Sequence, residues 1–182
     1  MIYLFFATGT EEIEALATVD ILRRAGLDVQ IVSITGELTV AGAHGIKVVT
    51  DTLVEDIDVS KAQLLVLPGG LPGATNLAAH PLVNKAVLAH AAAGRTVAAI
   101  CAAPLVLGRL GLLQGYHATC YPGFEGELTG ATYTGALVEH DGQFITGKGP
   151  AAVFEFGYTL VEQFKDKATA DALRQGMIWS EV

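Results

Sequence analysis

Basic residues are scarce in this chain: 11 Lys and Arg stand against 19 Asp and Glu, giving a formal net charge of −8 over 182 residues. Without a cationic excess to displace counterions, no nucleic-acid partner is expected. Long apolar runs are missing as well. The opening MIYLFFATG is apolar only as far as Gly9 and the acidic pair Glu11 and Glu12, with neither a basic leader region nor a small-residue cleavage site. No window approaches the roughly 18 uninterrupted apolar residues of a membrane span. A cytoplasmic chain with no membrane partner is the expectation. Cysteine is nearly absent: Cys101 and Cys120 are the two, too few for a secreted disulfide scaffold and without metal-ligand spacing to the five histidines. No metal and no cofactor is expected.

What is present is apolar and periodic. Half of the residues are hydrophobic, enough for one sizeable core and short for two, so a single domain over 1–182 is expected. Strand-like and helix-like patterns alternate from the first residue, the mark of a mostly parallel sheet covered on both faces. IYLFFA supplies a first strand. Gly9 and Thr10 make a turn and an N-cap, and a helix runs to the stop at RRAG. DVQIVSI, QLLVLPGG, TVAAIC and YHATC read as further strands, and LTVAG with GIKVVTDT as a hairpin ornament. PLVNKAVLAHAAAG and the segment from about Ala102 read as helices. Toward the end, ATYTGALVEHDGQFITG predicts two strands joined at a DG turn, followed by helices over PAAVFEFGYTLVEQF and residues 166–178. The expected architecture is a flavodoxin-like, doubly wound α/β sandwich with a small antiparallel ornament. Its functional groups would gather at the carboxyl ends of the strands, in the loops ATGTEEIE, LPGGLPGA and CAAP.

Cys101 sits where a buried strand meets a helix. Unpaired N–H groups and the positive helix end can lower a thiol pKa from about 8.5 into the range of roughly 3.5 to 7.5, and the thiolate is the nucleophile. The corner is similar in mechanics to a nucleophile elbow, with Ala99 and Ala102 leaving room. A buried, inert cysteine fits the same residues. On a helical wheel Ile13, Ala17 and Ile21 mark the inward arc of the first helix; Glu14 falls on its flank, Glu11 and Glu12 outside it. Glu14 is then either the carboxylate that meets Cys101 or a glutamate at the arc's edge. Asp20 reads as a structural or interface carboxylate. A carboxylate and a thiolate in contact cannot both ionise cheaply, so such a pair shares a proton, as protonated Glu14 beside a thiolate. Gly69 and Gly70 let backbone approach a ligand, and with the Ala102 N–H they can form an oxyanion site.

The motifs ATGTEEIEA, VLPGG, VAAICAAP and KGPAAVFEF, in this order across nearly the whole chain, resemble the ThiJ/PfpI superfamily, in the branch of the Parkinson disease protein and its bacterial ThiJ relatives. The resemblance implies a class I glutamine amidotransferase-like sandwich, usually a homodimer. It assigns Cys101 as nucleophile, Glu14 as the acid bonded to it, and Gly70 and Ala102 as backbone donors. It implies cofactor-free glyoxalase activity, deglycation, or oxidative-stress sensing through a cysteine sulfinate. Protease-like members carry a histidine directly after the nucleophile; Ala102 stands here, which argues against a peptidase. The branch often has a histidine at Tyr121 and a basic residue at His44. Tyr121 contacts substrate or simply packs; His44 reaches the site across a dimer interface or is a solvated loop residue. Cys120 resolves an oxidised Cys101 only if the sulfurs approach. Trp179 is expected to pack a terminal segment.

The reading that follows is a cysteine-dependent enzyme acting on 2-oxoaldehydes such as methylglyoxal, or on their adducts, with a small carbonyl compound as partner. The alternative is a redox sensor or chaperone-like protein acting through a Cys101 sulfinate.

Overall fold

In the computed structural model, which describes residues 1–179, a seven-stranded sheet runs through the molecule. The last three residues of the expected 1–182 span lie outside the described residues. The elements are β1 (Ile2–Phe6), α1 (Glu12–Arg24), β2 (Val29–Ser33), β3 (Thr39–Ala41), β4 (Lys47–Val49), β5 (Thr52–Leu53), β6 (Leu64–Leu67), α2 (Gly73–Ala79), α3 (Pro81–Ala92), β7 (Thr96–Ile100), α4 (Pro104–Arg109), β8 (His117–Ala118), β9 (Thr132–Tyr133), β10 (Val138–Asp141), β11 (Phe144–Gly147), α5 (Val153–Phe164) and α6 (Lys167–Gly176). The sheet order is β10-β11-β7-β6-β1-β2-β5. Every pairing in it is parallel except β10 with β11. This is the expected flavodoxin-like α/β sandwich, and β3 with β4 is the expected antiparallel ornament.

Burial on both faces explains the continuous apolar strands. β1, β6 and β7 are buried at every position. On one face α1 packs against α5, and α5 against α6. Gly157 permits that approach, because a Cβ there would lie 2.6 Å from the Ile21 side chain. The other face is covered by α2, α3 and α4. Pro81 opens α3 and Pro104 opens α4, where the missing N–H costs nothing. Trp179 stacks on Phe154 at 5.4 Å between ring centroids and so packs the terminal segment. Among the described residues no helix is long and apolar enough to cross a membrane.

Several local expectations are corrected. YHATC does not extend the main sheet; its His117 and Ala118 pair with β9 in a separate two-stranded sheet. The sequence pattern also missed the edge strand β5 and the short helix α2. Thr10 does not cap α1: Glu11 holds that position without a side-chain cap. The Thr10 hydroxyl instead accepts the Ala7 N–H at 3.0 Å, closing the turn after β1. The inward arc of α1 is displaced as well. Ile13 is 55% exposed, whereas Ala15, Thr18, Val19 and Leu22 are buried with Ile21. Glu12 is buried because residues 42–46 fold over it, donating the His44 and Ile46 N–H groups to its carboxylate.

Candidate active site

β1, β6 and β7 are adjacent and parallel, so the loops that follow them meet at one edge. Their backbones are stitched together. Glu11 N–H donates to the Gly69 carbonyl at 2.9 Å, and Gly73 N–H donates to the Gly9 carbonyl at 3.1 Å. Glycine is required twice at this seam. Gly70 has φ +86°, and a Cβ on it would lie 2.3 Å from the Glu11 nitrogen. A Cβ on Gly69 would lie 2.7 Å from the Cys101 Cβ and 2.8 Å from Glu14 Oε2.

Cys101 follows the last residue of β7 with φ +64°, a left-handed conformation that typically costs a non-glycine residue about 1–3 kcal/mol. Hydrogen bonds on both sides hold it there. Its N–H donates to the Gly147 carbonyl at 2.8 Å, and its own carbonyl accepts the Tyr121 N–H at 2.8 Å. The corner aims the side chain out of the sheet edge, and the residue remains 8% exposed.

Glu14, in the first turn of α1, is fully buried. Its Oε2 accepts the Gly69 N–H at 2.8 Å, and Oε1 is buried without a well-formed hydrogen bond. Burial pushes the carboxyl up to about 7, against the opposing pull of the Cys101 thiol and the Gly69 N–H. Burial, followed by the charge of Glu14 and its hydrogen bond, pushes the thiol up to about 12; the N–H groups of Gly70 and Ala102 pull the other way. The expected low thiol pKa is therefore corrected. α4 is only six residues long and starts at Pro104, too short and too far along to offset a buried neighbouring carboxylate. One proton is shared from about neutral pH upward, but the expected holder is corrected. With Glu14 at about 7 and Cys101 at about 12, the proton stays on sulfur beside a Glu14 carboxylate and not on Glu14 beside a thiolate, because burial and the neighbouring carboxylate penalise the thiolate more.

Beside the sulfur lies a cleft of about 240 Å³ lined by Glu11, Gly70, Leu71, Cys101, Ala102, Tyr121, Phe124 and Pro150. Tyr121 is thus at the site. Glu11, Leu71, Phe124 and Pro150 were missed as site residues: Glu11, Leu71 and Pro150 lie in the motif loops, but nothing in the spacing marks Phe124. Within one chain the other two expected substrate contacts lie away from the cleft. Gly69 spends its N–H on Glu14 and does not line the cleft. His44 does not line it either; its Nδ1 lies 2.9 Å from Glu12 Oε2 and 3.6 Å from Glu11 Oε1. The hydrogen bond to Glu12, with the charge of Glu11, raises the His44 pKa. Glu11, Glu12 and His44 bring ligand atoms within 4.8 Å of one another, the grouping among the described residues that could hold a metal ion. Cys120 is a second free, buried thiol, pushed up to about 11 by burial. Asp20 pairs with Arg24 at 2.6 Å on the outside of α1.

Comparison with known proteins places this chain among relatives. The chain is 46% identical over 166 residues to Protein DJ-1 homolog B of Arabidopsis thaliana, covering 90% of this chain and 38% of that protein. It spans about two fifths of the length of the two Arabidopsis homologs that it matches. It is 32% identical over 165 residues to the glutathione-independent glyoxalase DJR-1.2 of Caenorhabditis elegans, covering 90% of this chain and 87% of that one. The solved structure of oxidized Toxoplasma gondii DJ-1 superposes with a TM-score of 0.95 at 30% identity, covering 99% and 98% of the two chains. The model of the DJ-1/PfpI family matches residues 1–163, and by that match and these relatives the chain belongs to the DJ-1/PfpI family.

Proposed function

We propose that this protein is a cysteine-dependent, cofactor-independent enzyme that converts reactive 2-oxoaldehydes, or the adducts they form, to hydroxy acids. The observation that carries the reading is the buried Cys101 and Glu14 pair at the wall of the cleft. A carboxylate whose pKa is raised to about 7 is basic enough to take a thiol proton and acidic enough to return it near neutral pH. The Caenorhabditis elegans relative, by its name a glutathione-independent glyoxalase, supports the same reaction class.

The steps balance without an external oxidant. Glu14 accepts the thiol proton as sulfur bonds to the aldehyde carbon, and the proton passes to the aldehyde oxygen to give a hemithioacetal. The Gly70 and Ala102 N–H groups, which bond the sulfur, also face the developing oxyanion. Carboxylate Glu14 then removes the proton on that carbon to give an enediol and delivers it to the neighbouring ketone carbon, while the hemithioacetal hydroxyl proton moves to the ketone oxygen. The former aldehyde carbon is oxidised to a thioester and the ketone is reduced to an alcohol. Water cleaves the thioester, releasing the hydroxy acid and restoring the thiol. Ala102 in place of a histidine leaves no Cys-His dyad of the adjacent-residue kind, which argues against peptide hydrolysis.

The experiment is conversion of methylglyoxal to lactate by wild type, Cys101→Ala and Glu14→Gln. Loss of at least about a hundredfold in both variants is expected, the range for a nucleophile or a general acid and base; a Cys101→Ala variant as fast as wild type overturns the reading. A second reading has support in the oxidized Toxoplasma gondii structure: Cys101 takes one oxygen from each of two peroxide molecules, releasing two waters, and the sulfinate is held by protonated Glu14. Selective addition of two oxygens at Cys101, seen by intact mass, tests it. We further propose a homodimer through α1 and the β3–β4 hairpin. Ile13 (55%), Ile46 (55%) and Val49 (72%) are exposed there, and the contacts of residues 44 and 46 with Glu12 join the two elements.

A further inference from the structure

The cleft at Cys101 shares two of its walls, Tyr121 and Pro150, with a second space. On the far side of the ring lies a groove of about 230 Å³, walled by Tyr121 and Pro150, which also line the cleft, and by Leu137, Lys148, Gly149 and Ala151. The groove presents carbon. The Lys148 ammonium donates to the Gly135 carbonyl at 3.1 Å, which leaves its methylene stem as wall. Leu137 is 49% exposed with its side chain at this surface.

The wall between the two spaces is held in place. Tyr121 N–H is bonded to the Cys101 carbonyl, so the tyrosine backbone is fixed relative to the cysteine. Gly149 lies against the ring, where a Cβ would be 3.2 Å from Tyr121 Cδ2. A substrate whose aldehyde carbon is bonded to sulfur keeps its ketone carbon inside the cleft, and the substituent on that ketone must leave toward an open side. The apolar groove that shares Tyr121 and Pro150 with the cleft gives it a place to go past their rim.

We propose that the groove beyond Tyr121 is a substrate subsite for the apolar substituent of the 2-oxoaldehyde, selecting aryl and branched alkyl glyoxals over methylglyoxal. This rests on the function proposed above. Leu137 is the specificity residue that touches the substituent without touching the reacting atoms. Apolar selection of this kind is worth about 10- to 200-fold, and a groove open on one side falls at the lower end.

The test compares kcat/KM for phenylglyoxal and methylglyoxal in wild type, Leu137→Asp and Ala151→Trp, the last filling the groove from an exposed position. The expected result is a fall of about tenfold in the phenylglyoxal to methylglyoxal ratio in both variants, with kcat/KM for methylglyoxal unchanged. A ratio that stays at the wild-type value overturns the subsite. A second measurement does not depend on turnover: the rate of Cys101 alkylation by N-benzyl iodoacetamide relative to iodoacetamide, followed by intact mass. The benzyl reagent is expected to lose its advantage in Leu137→Asp, and equal relative rates in wild type and variant overturn the subsite. If neither glyoxal is consumed, the reaction class fails, and the alkylation ratio alone decides the groove.

Discussion

Replacing Glu14 by glutamine removes one ionisation from the centre of the site while keeping its shape. The folded carboxyl has a pKa of about 7 against an ordinary 4.5. Because the folded value is raised, the protonated form is the one the fold favours. The stability it contributes is fully present below pH 4.5 and is lost as pH rises through 7. The difference amounts to about 3 kcal/mol between pH 4.5 and pH 8. Cys101 is also raised, from 9.0 to about 12, so its own loss begins only above pH 9 and lies outside the window. Groups lowered by hydrogen bonds, such as Glu12 and Asp141, titrate alike in both proteins and cancel in the difference. At low pH the glutamine amide stands in for a protonated Glu14 and its oxygen still accepts the Gly69 N–H. Urea unfolding of wild type and Glu14→Gln from pH 4.5 to 8.5 therefore measures the effect. The variant is expected to gain on wild type by about 3 kcal/mol across the range. Parallel stability curves, with a constant difference at every pH, would refute the reasoning that Glu14 is a buried acid with a raised pKa.

Three further outcomes are expected. Gly69→Ala drives a Cβ into the Cys101 Cβ and Glu14 Oε2, so methylglyoxal turnover should fall by about a hundredfold from misplacement of the pair; near-normal kinetics would show that the seam gives way cheaply. At φ +64° Cys101→Gly should be more stable than Cys101→Ala by about 1 kcal/mol in urea unfolding, and a more stable alanine variant would deny the strain. Ile13→Glu, at a 55% exposed position on α1, is expected to shift sedimentation from dimer to monomer, and a monomeric wild type would end the dimer proposal.

The alternation of patterns was enough to read the order of the long elements, because a parallel sheet buried on both faces demands apolar strands such as IYLFF and TVAAI, and amphipathic helices between them. Short elements escaped because their cause is not local. β5 is two residues added to the edge beside β2, and α2 is a seven-residue helix that packs on α3 and α4. Periodicity has no purchase on runs of that length. Glu14 was found from an arc centred on the wrong residues. Its position at the flank survived the error, whereas Ile13 and Glu12 exchanged places because a distant hairpin covers Glu12.

By itself the sequence determined which chemistry this protein can carry. A thiol at the end of a buried strand, a carboxylate in the first turn of a helix and glycines after a third strand are local facts of the chain. Tertiary structure alone decided what those groups became. Desolvation depends on what neighbours exclude water, so only the packed edge of β1, β6 and β7 could push Glu14 up to about 7 and Cys101 up to about 12. The same holds for the contacts made by each backbone group. Gly69 N–H went to Glu14, His44 went to Glu12, and Tyr121 was set between a reactive cleft and an apolar groove, because loops far apart in the chain close on the same sheet edge.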